Sequence, residues 1–238
     1  MTTPICLWSS PRNISTAMMY SFAQRTDMTV IDEPLYAYYL SKSNADHPGK
    51  EKVISSQNPN GEAVIKDVIL SDYQTPFSLH KQMTHHLEGL NCDFLKETKN
   101  VLLIRSPYEI VLSYSKVMKE ITPNDIGIPQ QYKLLHHLIK TNSLSAVVDA
   151  RLLLMNPENI LKQLCSKLEI PFLESMLAWK PGPRKEDGVW AEHWYSNVHK
   201  SCGFQPYSPK NETLSPQLTQ VVKQCQPLYD TLFNYALK

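Results

Sequence analysis

The sequence predicts an α/β fold: three layers, α/β/α, with a central, mostly parallel sheet. Three observations predict it. Short apolar runs alternate with segments of helical periodicity from the N-terminus to about residue 168. No hairpin signal joins any two runs, so successive strands must cross over through helices on both faces. The 238 residues suffice for one full core, so the chain, 1–238, reads as a single domain.

The first unit sets the pattern. Pro4 to Trp8 is an apolar strand, Ser9 to Asn13 a tight polar turn. Ile14, Ala17, Met18, Ser21 and Phe22 then recur on one helical face. Strand, turn and helix in this order can cradle an anion, because free N–H groups and the helix dipole point at the turn. Arg12 adds a fixed positive fork, and Ser15 and Thr16 add hydroxyls. The same residues also fit an ordinary turn with an exposed Arg and a Ser cap. G-x-x-x-x-G-K-[ST] is absent and no glycine occurs before Gly49, which leaves Asn13 as the residue suited to left-handed backbone.

Met28 to Ile31 is the second strand, ending in Asp32-Glu33-Pro34. An acid at a strand end sits where open α/β sheets bind ligands. Glu33 is therefore a general base or an acid favoured by a helix N-terminus. Pro34 opens a helix carrying Leu35, Tyr36, Tyr38, Tyr39 and Leu40. Ser41 to Gly61 reads as a long polar loop, a lid over a site. Glu62 to Asp67 reads as the third strand, ending in Lys66, and Phe77 to Leu90 as a helix. His80, His85 and His86 on that helix lack metal-ligand spacing and read as surface residues.

Asn100 to Arg105 is the clearest strand. Ser106 as cap, Pro107 at the first helical position and Glu109 closing a capping box start the next helix, which runs to Met118. Arg105 and Ser113 can converge on one anion at that helix start. Pro129 to Asn142 is a helix, Leu144 to Asp149 a strand, Leu152 to Met155 a turn, and Pro157 to Leu168 a helix capped by Asn156. Trp179 to Lys210 is polar, aromatic and basic; it is either a solvated connection or a binding segment. The tail from Ser215 is helical, and Pro227 kinks or divides it.

Composition narrows the partners. Charged residues are 20% of the chain and the net charge is +1, which argues against nucleic acid and membrane surfaces. Five cysteines without a C-x-x-C pair, and no secretory signal, read as reduced thiols in a cytoplasmic protein. Cys6 and Arg12 have the spacing of a phosphatase Cys-x5-Arg loop, but Cys6 lies inside an apolar strand and reads as a structural thiol.

Together these motifs resemble the sulfotransferase family, which uses 3′-phosphoadenosine 5′-phosphosulfate (PAPS). Ser10-Pro11-Arg12-Asn13-Ile14-Ser15-Thr16 is similar to its 5′-phosphosulfate loop. Arg105-Ser106-Pro107 with Ser113 matches its R-x-P…S site for the 3′-phosphate. Asp149 to Glu158 resembles its late strand and helix, and Arg184, Lys185, Gly188 and Trp190 its R-K-G…G-x-W loop. The K-[ST]-H of cytosolic members is represented by Lys66-Asp67-Val68, without the His, so the likeness is to members with a Glu base. The resemblance implies a P-loop-like fold and in-line sulfuryl transfer to a hydroxyl or amine of a small acceptor. It implies Ser10, Arg12, Asn13, Ile14, Ser15 and Thr16 on the 5′ side of the donor, and Arg105 and Ser113 on its 3′-phosphate. Arg184, Lys185 and Trp190 would close the site, Lys66 would lie near the transferring group, and Glu33 would be the base. No metal is required. A P-loop-type kinase and a non-catalytic nucleotide-binding protein of the same fold remain as alternatives.

Overall fold

The computed structural model describes every residue except Asn44, Asp46 and Lys119. Five strands form one parallel sheet in the order β2-β3-β1-β4-β5. They are β1 (Thr3–Ser9), β2 (Met28–Asp32), β3 (Phe77–Met83), β4 (Lys99–Ile104) and β5 (Leu144–Asp149). The expected strands at 4–8, 28–31, 100–105 and 144–149 are thus present to within a residue or two.

Alternation along the strands builds two cores. Ile5 and Leu7 of β1, Val101 and Leu103 of β4, and Ala146 and Val148 of β5 face one layer. Cys6 and Trp8, Leu102 and Ile104, and Val147 face the other. The first layer holds α1 (Ser15–Phe22), α2 (Tyr36–Lys42), α3 (Lys50–Ser56) and, later in the chain, α7 (Ala150–Met155) and α8 (Pro157–Leu168). The second holds α4 (Gly61–Val64), α5 (Pro107–Tyr114), α6 (Ile128–Lys140) and the long C-terminal α10 (Pro216–Asn234). A short turn, α9 (Ala191–Trp194), lies within the late loop. Pro227 sits inside α10 without dividing it. No described helix is long and apolar enough to cross a membrane.

One pair of elements is exchanged relative to expectation. Residues 62–67 are helical: Asn60 caps α4 by accepting from Ala63 N at 3.1 Å, and a wider turn continues it over Ile65–Ile69. The third strand is instead Phe77–Met83, the start of the expected helix. Ser78, His80, Lys81 and Gln82 are all fully buried in it. Polar residues held inside a strand erase its apolar signal, and Phe77, Met83, Leu87 and Leu90 then mimic a helical face. The expected loop 41–61 contains α3; two of its residues lie outside those described. α5 stops at Tyr114 rather than Met118.

Candidate active site

The C-terminal ends of β1 to β4 open into one cavity of about 650 Å³. This is the edge at which a parallel sheet presents its ligand-binding turns.

The turn after β1 forms one end. Pro11 to Ala17 line the cavity; Ser10 is fully buried beneath them and does not. The left-handed residue is Arg12, at φ 57°, rather than Asn13. Asn13 serves as the brace: Nδ2 donates to Leu103 O at 3.0 Å, and Oδ1 accepts from Ile14 N at 2.8 Å. The Arg12 carbonyl accepts from Arg105 Nη1 at 2.7 Å. The N-cap residue Ile14 makes no side-chain cap bond, so among the described residues the first-turn N–H groups of α1 remain available to a ligand.

Arg12 Nε donates to Ser113 Oγ at 3.1 Å, which joins the two expected phosphate subsites directly. Burial, with Arg105 nearby, lowers the Arg12 pKa and so makes an anion there more welcome, Tyr114 acting in the opposite sense. Arg105 is held by Glu109, Nε to Oε2 at 3.0 Å. Glu109 therefore orients an arginine and does not close the expected capping box, since Ser106 makes no side-chain cap bond either.

Glu33 lines the same cavity, 5% exposed, at φ 40°. A non-glycine residue in that region stores strain of about 1–3 kcal/mol, which the surroundings must hold. They do so through its main chain: Glu33 N donates to Lys81 O at 2.8 Å, and Glu33 O accepts from Tyr36 N and from Gln57 Nε2.

The lysine at this site is Lys81, not Lys66. Lys66 is exposed on the turn after α4 and does not line the cavity. The register of β2 on β3 sets Asp32 beside Lys81. Lys81 Nζ reaches Asp32 Oδ1 at 2.7 Å, Glu33 Oε1 at 2.5 Å and Tyr195 Oη at 2.6 Å. All three ammonium hydrogens are thus taken. Burial alone would lower the pKa of Lys81, but Asp32, Glu33 and Tyr195 carry it well above the usual lysine value. Burial pushes Glu33 up to about 7; Lys81 opposes this and Asp32 adds to it.

Two of the three histidines expected on the surface are inside, and the third, His85, is partly exposed at the cavity. His80 is buried in β3 beside Ser78, and His86 is buried at the cavity wall. His86 Nε2 lies 3.6 Å from Glu33 Oε2, and its ring stacks on Tyr36 at 5.2 Å. The signal for Lys81 was the charged and amide pair Lys81-Gln82 within a run otherwise bounded by Phe77, Leu79 and Met83. It also stands at the end of the true third strand, where the expected Lys66-Asp67-Val68 does not.

The late loop divides. Trp190 lines the cavity and donates from Nε1 to Tyr195 Oη at 3.0 Å. Arg184 and Lys185 do not line it: Arg184 lies over the Tyr20 ring at 4.4 Å, and Lys185 is in solvent. Asp187 pins this loop by accepting from Tyr20 Oη and Arg184 N, and it lies 3.0 Å from His199 Nε2. Gly188 N donates to Asp32 Oδ2 at 3.2 Å, and a Cβ on Gly188 would stand 2.2 Å from the Trp190 ring. The loop is therefore a fitted wall over the buried charges.

Comparison with known proteins bears on the fold and the family. The chain is 38% identical over 226 residues to branched-chain-amino-acid aminotransferase-like protein 2 of Arabidopsis thaliana, covering 94% of this chain and 40% of that protein. It is 40% identical over 231 residues to protein 1 of the same name and organism, covering 96% and 41%. The chain thus spans about two fifths of the length of these relatives. Among solved structures it superposes on a sulfotransferase from Alicyclobacillus acidocaldarius with a TM-score of 0.57 at 7% identity, covering 100% of this chain and 98% of that one. It also superposes on the sulfotransferase domain of the curacin biosynthetic pathway, TM-score 0.53 at 18% identity, covering 100% and 99%. The domain of the Synechococcus PCC 7002 olefin synthase gives 0.53 at 15%, covering 100% and 98%. At such identities the likeness speaks for the fold. The family model described as the sulfotransferase domain matches residues 3–236, and the chain belongs to that family.

Proposed function

We propose that this chain moves a sulfuryl group from PAPS to a hydroxyl or amine of a small acceptor by in-line transfer, with Glu33 as general base. The observation that carries the reading is that one cavity holds both a joined pair of arginines and a buried carboxylate that burial raises to about 7. The donor set suits PAPS. Two guanidinium groups, the hydroxyls of Ser15, Thr16 and Ser113, and an uncapped helix start all favour anionic oxygens. A cavity of about 650 Å³ falls in the range of nucleotide-sized ligands. PAPS would supply the sulfuryl group and a stable phosphate leaving group.

The chain's own residues do the rest. Arg12 and the N–H groups of residues 15–17 bind the 5′ end. Arg105 and Ser113 bind the 3′-phosphate; Ser113 accepts from Arg12 and keeps its own hydrogen to donate. Trp190 walls the site from solvent. Little covalent work falls to the protein in such a displacement, so charge placement and alignment carry the rate. Glu33 takes the acceptor's proton. A carboxylate at about 7 is half ionised near neutral pH and is a stronger base than an ordinary one. Lys81, with its hydrogens committed, holds the base in line and compensates its charge.

Thermal shift with adenosine 3′,5′-bisphosphate beside AMP and ATP tests the reading. A ligand that binds the native state raises the melting temperature by mass action. Stabilisation by the bisphosphate well beyond that by AMP is expected. A shift with ATP and magnesium but none with the bisphosphate would replace the reading with phosphoryl transfer.

A further inference from the structure

We propose that Glu33 and His86 work as one proton-holding pair, in which His86 is the positioning residue and the acceptor's proton is held between Glu33 Oε2 and His86 Nε2. The inference rests on Glu33 being the base and says what shapes that base.

The two oxygens of Glu33 have different neighbours. Oε1 is pinned by Lys81 Nζ at 2.5 Å, which fixes the carboxylate plane. Oε2 is left facing His86 Nε2 at 3.6 Å. That distance exceeds a formed hydrogen bond, and catalytic contacts commonly tighten only with substrate bound. His86 is itself immobile: 1% exposed, stacked on Tyr36 at 5.2 Å and close to Tyr39 at 5.4 Å. Its Nδ1 lies 3.1 Å from Gln82 Oε1. With Gln82 Oε1 on that side the amide oxygen accepts, which puts the ring hydrogen on Nδ1 and turns a lone pair of Nε2 toward Oε2. Two lone pairs facing each other in a buried site repel, and a single proton between them turns repulsion into a bond.

The surroundings favour one shared proton over two separate charges. Glu33 is flanked by Lys81 and Asp32 and feels Tyr195. His86 is flanked by His85 and His47, with Lys81 again nearby and the Tyr36 hydroxyl bonded to His47 Nδ1 at 2.7 Å. Burial disfavours the charged form of each partner, and the cation of Lys81 further disfavours an imidazolium. The resting pair without its proton, a carboxylate beside a neutral imidazole, is the proton acceptor. In turnover the bond formed is between sulfur and the acceptor oxygen or nitrogen. The bond broken is between sulfur and the phosphate oxygen, which keeps the electron pair. The acceptor's proton goes to Oε2 and is held on the line to Nε2 until solvent removes it.

The test is the pH profile of kcat/KM for wild type, His86→Gln and Glu33→Gln. A glutamine amide can donate an N–H to Oε2 and so favours the carboxylate. The acid limb of His86→Gln should move down by about one pH unit, with turnover reduced. An acid limb in place would overturn the pair while leaving Glu33 as base. Full turnover by Glu33→Gln would instead overturn the base and the pair with it. Ring-nitrogen NMR of the wild type decides the matter if His86→Gln does not fold. A hydrogen on Nδ1 near neutral pH, and a titration of His86 that changes in Glu33→Gln, are expected. A hydrogen on Nε2 throughout, or a titration indifferent to Glu33→Gln, would refute the pair.

Discussion

Replacing Lys81 by Met removes one cation from a site where two carboxylates depend on it. Lys81 is fully buried, and its partners nearly so: the side chains of Asp32 and Glu33 are 1% and 7% exposed. Met matches the length of the stem but not the charge. Removing one member of a buried ion pair costs about 3–5 kcal/mol, mostly because the partner is left charged without compensation. Here two partners are orphaned. Asp32 keeps Tyr195 Oη at 2.7 Å and Gly188 N at 3.2 Å, so it retains donors. Glu33 loses the hydrogen bond on Oε1 and has nothing comparable. We therefore expect a loss in the upper part of that range above pH 8. For a chain of this size that is a fall in melting temperature of roughly 10–20 °C.

The pH dependence identifies the cause. Glu33 already titrates at about 7 in the folded protein, above its ordinary value of 4.5, with Lys81 holding it down. Without Lys81 it rises further. A carboxyl whose folded pKa is raised makes the folded state bind more protons than the unfolded one. Its stabilising contribution is present at low pH and lost as pH rises through the folded pKa. The deficit of Lys81→Met should therefore shrink from pH 8 to pH 5.5, because Glu33 is then neutral in both proteins. Adding Glu33→Gln to Lys81→Met should recover about half of the loss at pH 8 and little at pH 5.5. Thermal melts of the three proteins at the two pH values are the assay. A Lys81→Met protein that melts within 2–3 °C of wild type at pH 8, on the order of 1 kcal/mol, would refute the reasoning. So would a deficit independent of pH.

Other perturbations separate the remaining roles. Glu33→Gln should cut kcat by about 10²–10⁴ and leave the affinity for adenosine 3′,5′-bisphosphate unchanged, read by steady-state rates and calorimetry. Arg12→Gly should weaken that affinity by roughly 10- to 100-fold through loss of the guanidinium, yet not lower the melting temperature, because glycine accepts φ 57° freely. Arg12→Ala should lose the same affinity and melt lower than Arg12→Gly. Gly188→Ala should destabilise by about 1–3 kcal/mol, since its Cβ meets the Trp190 ring, and should raise KM by loosening the wall over the cavity. Lys66→Ala and Lys185→Ala, both on exposed side chains, should change melting by less than about 0.5 kcal/mol and leave bisphosphate affinity intact.

The sequence was legible where local rules and global fold agree. β1, β4 and β5 are runs of Ile, Leu, Val and Trp, buried on both faces, and no other element could absorb them. Arg12, Arg105 and Ser113 come together because strand–turn–helix units place them by short-range geometry. β3 was hidden for the opposite reason. Its interior carries Ser78, His80, Lys81 and Gln82, each of which contradicts a buried strand taken alone. The neighbouring β2 helps to make Lys81 tolerable, by aligning Asp32 with it, and that pairing spans 49 positions of sequence. Glu33 could be suspected from its place at a strand end. Its φ of 40°, its raised pKa and its facing histidine depend on β3 and on a loop some 160 residues away, and no local pattern encodes them.

The same dependence explains why the late loop departs from its expected role. A loop built to supply phosphate cations would keep Arg184 and Lys185 at the cavity. Here Arg184 packs on Tyr20, and the loop's inward residues are Gly188, Trp190 and Tyr195. Gly188 bonds Asp32, Tyr195 bonds Asp32 and Lys81, and Trp190 bonds Tyr195, so the loop gathers at the buried charges and not at the arginines. Tyr195 Oη accepts from Lys81 and Trp190 and donates to Asp32, so its lone pairs and hydrogen are all engaged. The loop therefore shields Glu33 on its Lys81 side. A buried Glu33 near 7 requires that shielding, because an open site would return the carboxylate toward its ordinary value. On this reasoning Tyr195→Phe should lower the acid limb of the rate profile more than it lowers donor affinity. On the proposed reading the loop serves the proton and the arginines serve the nucleotide.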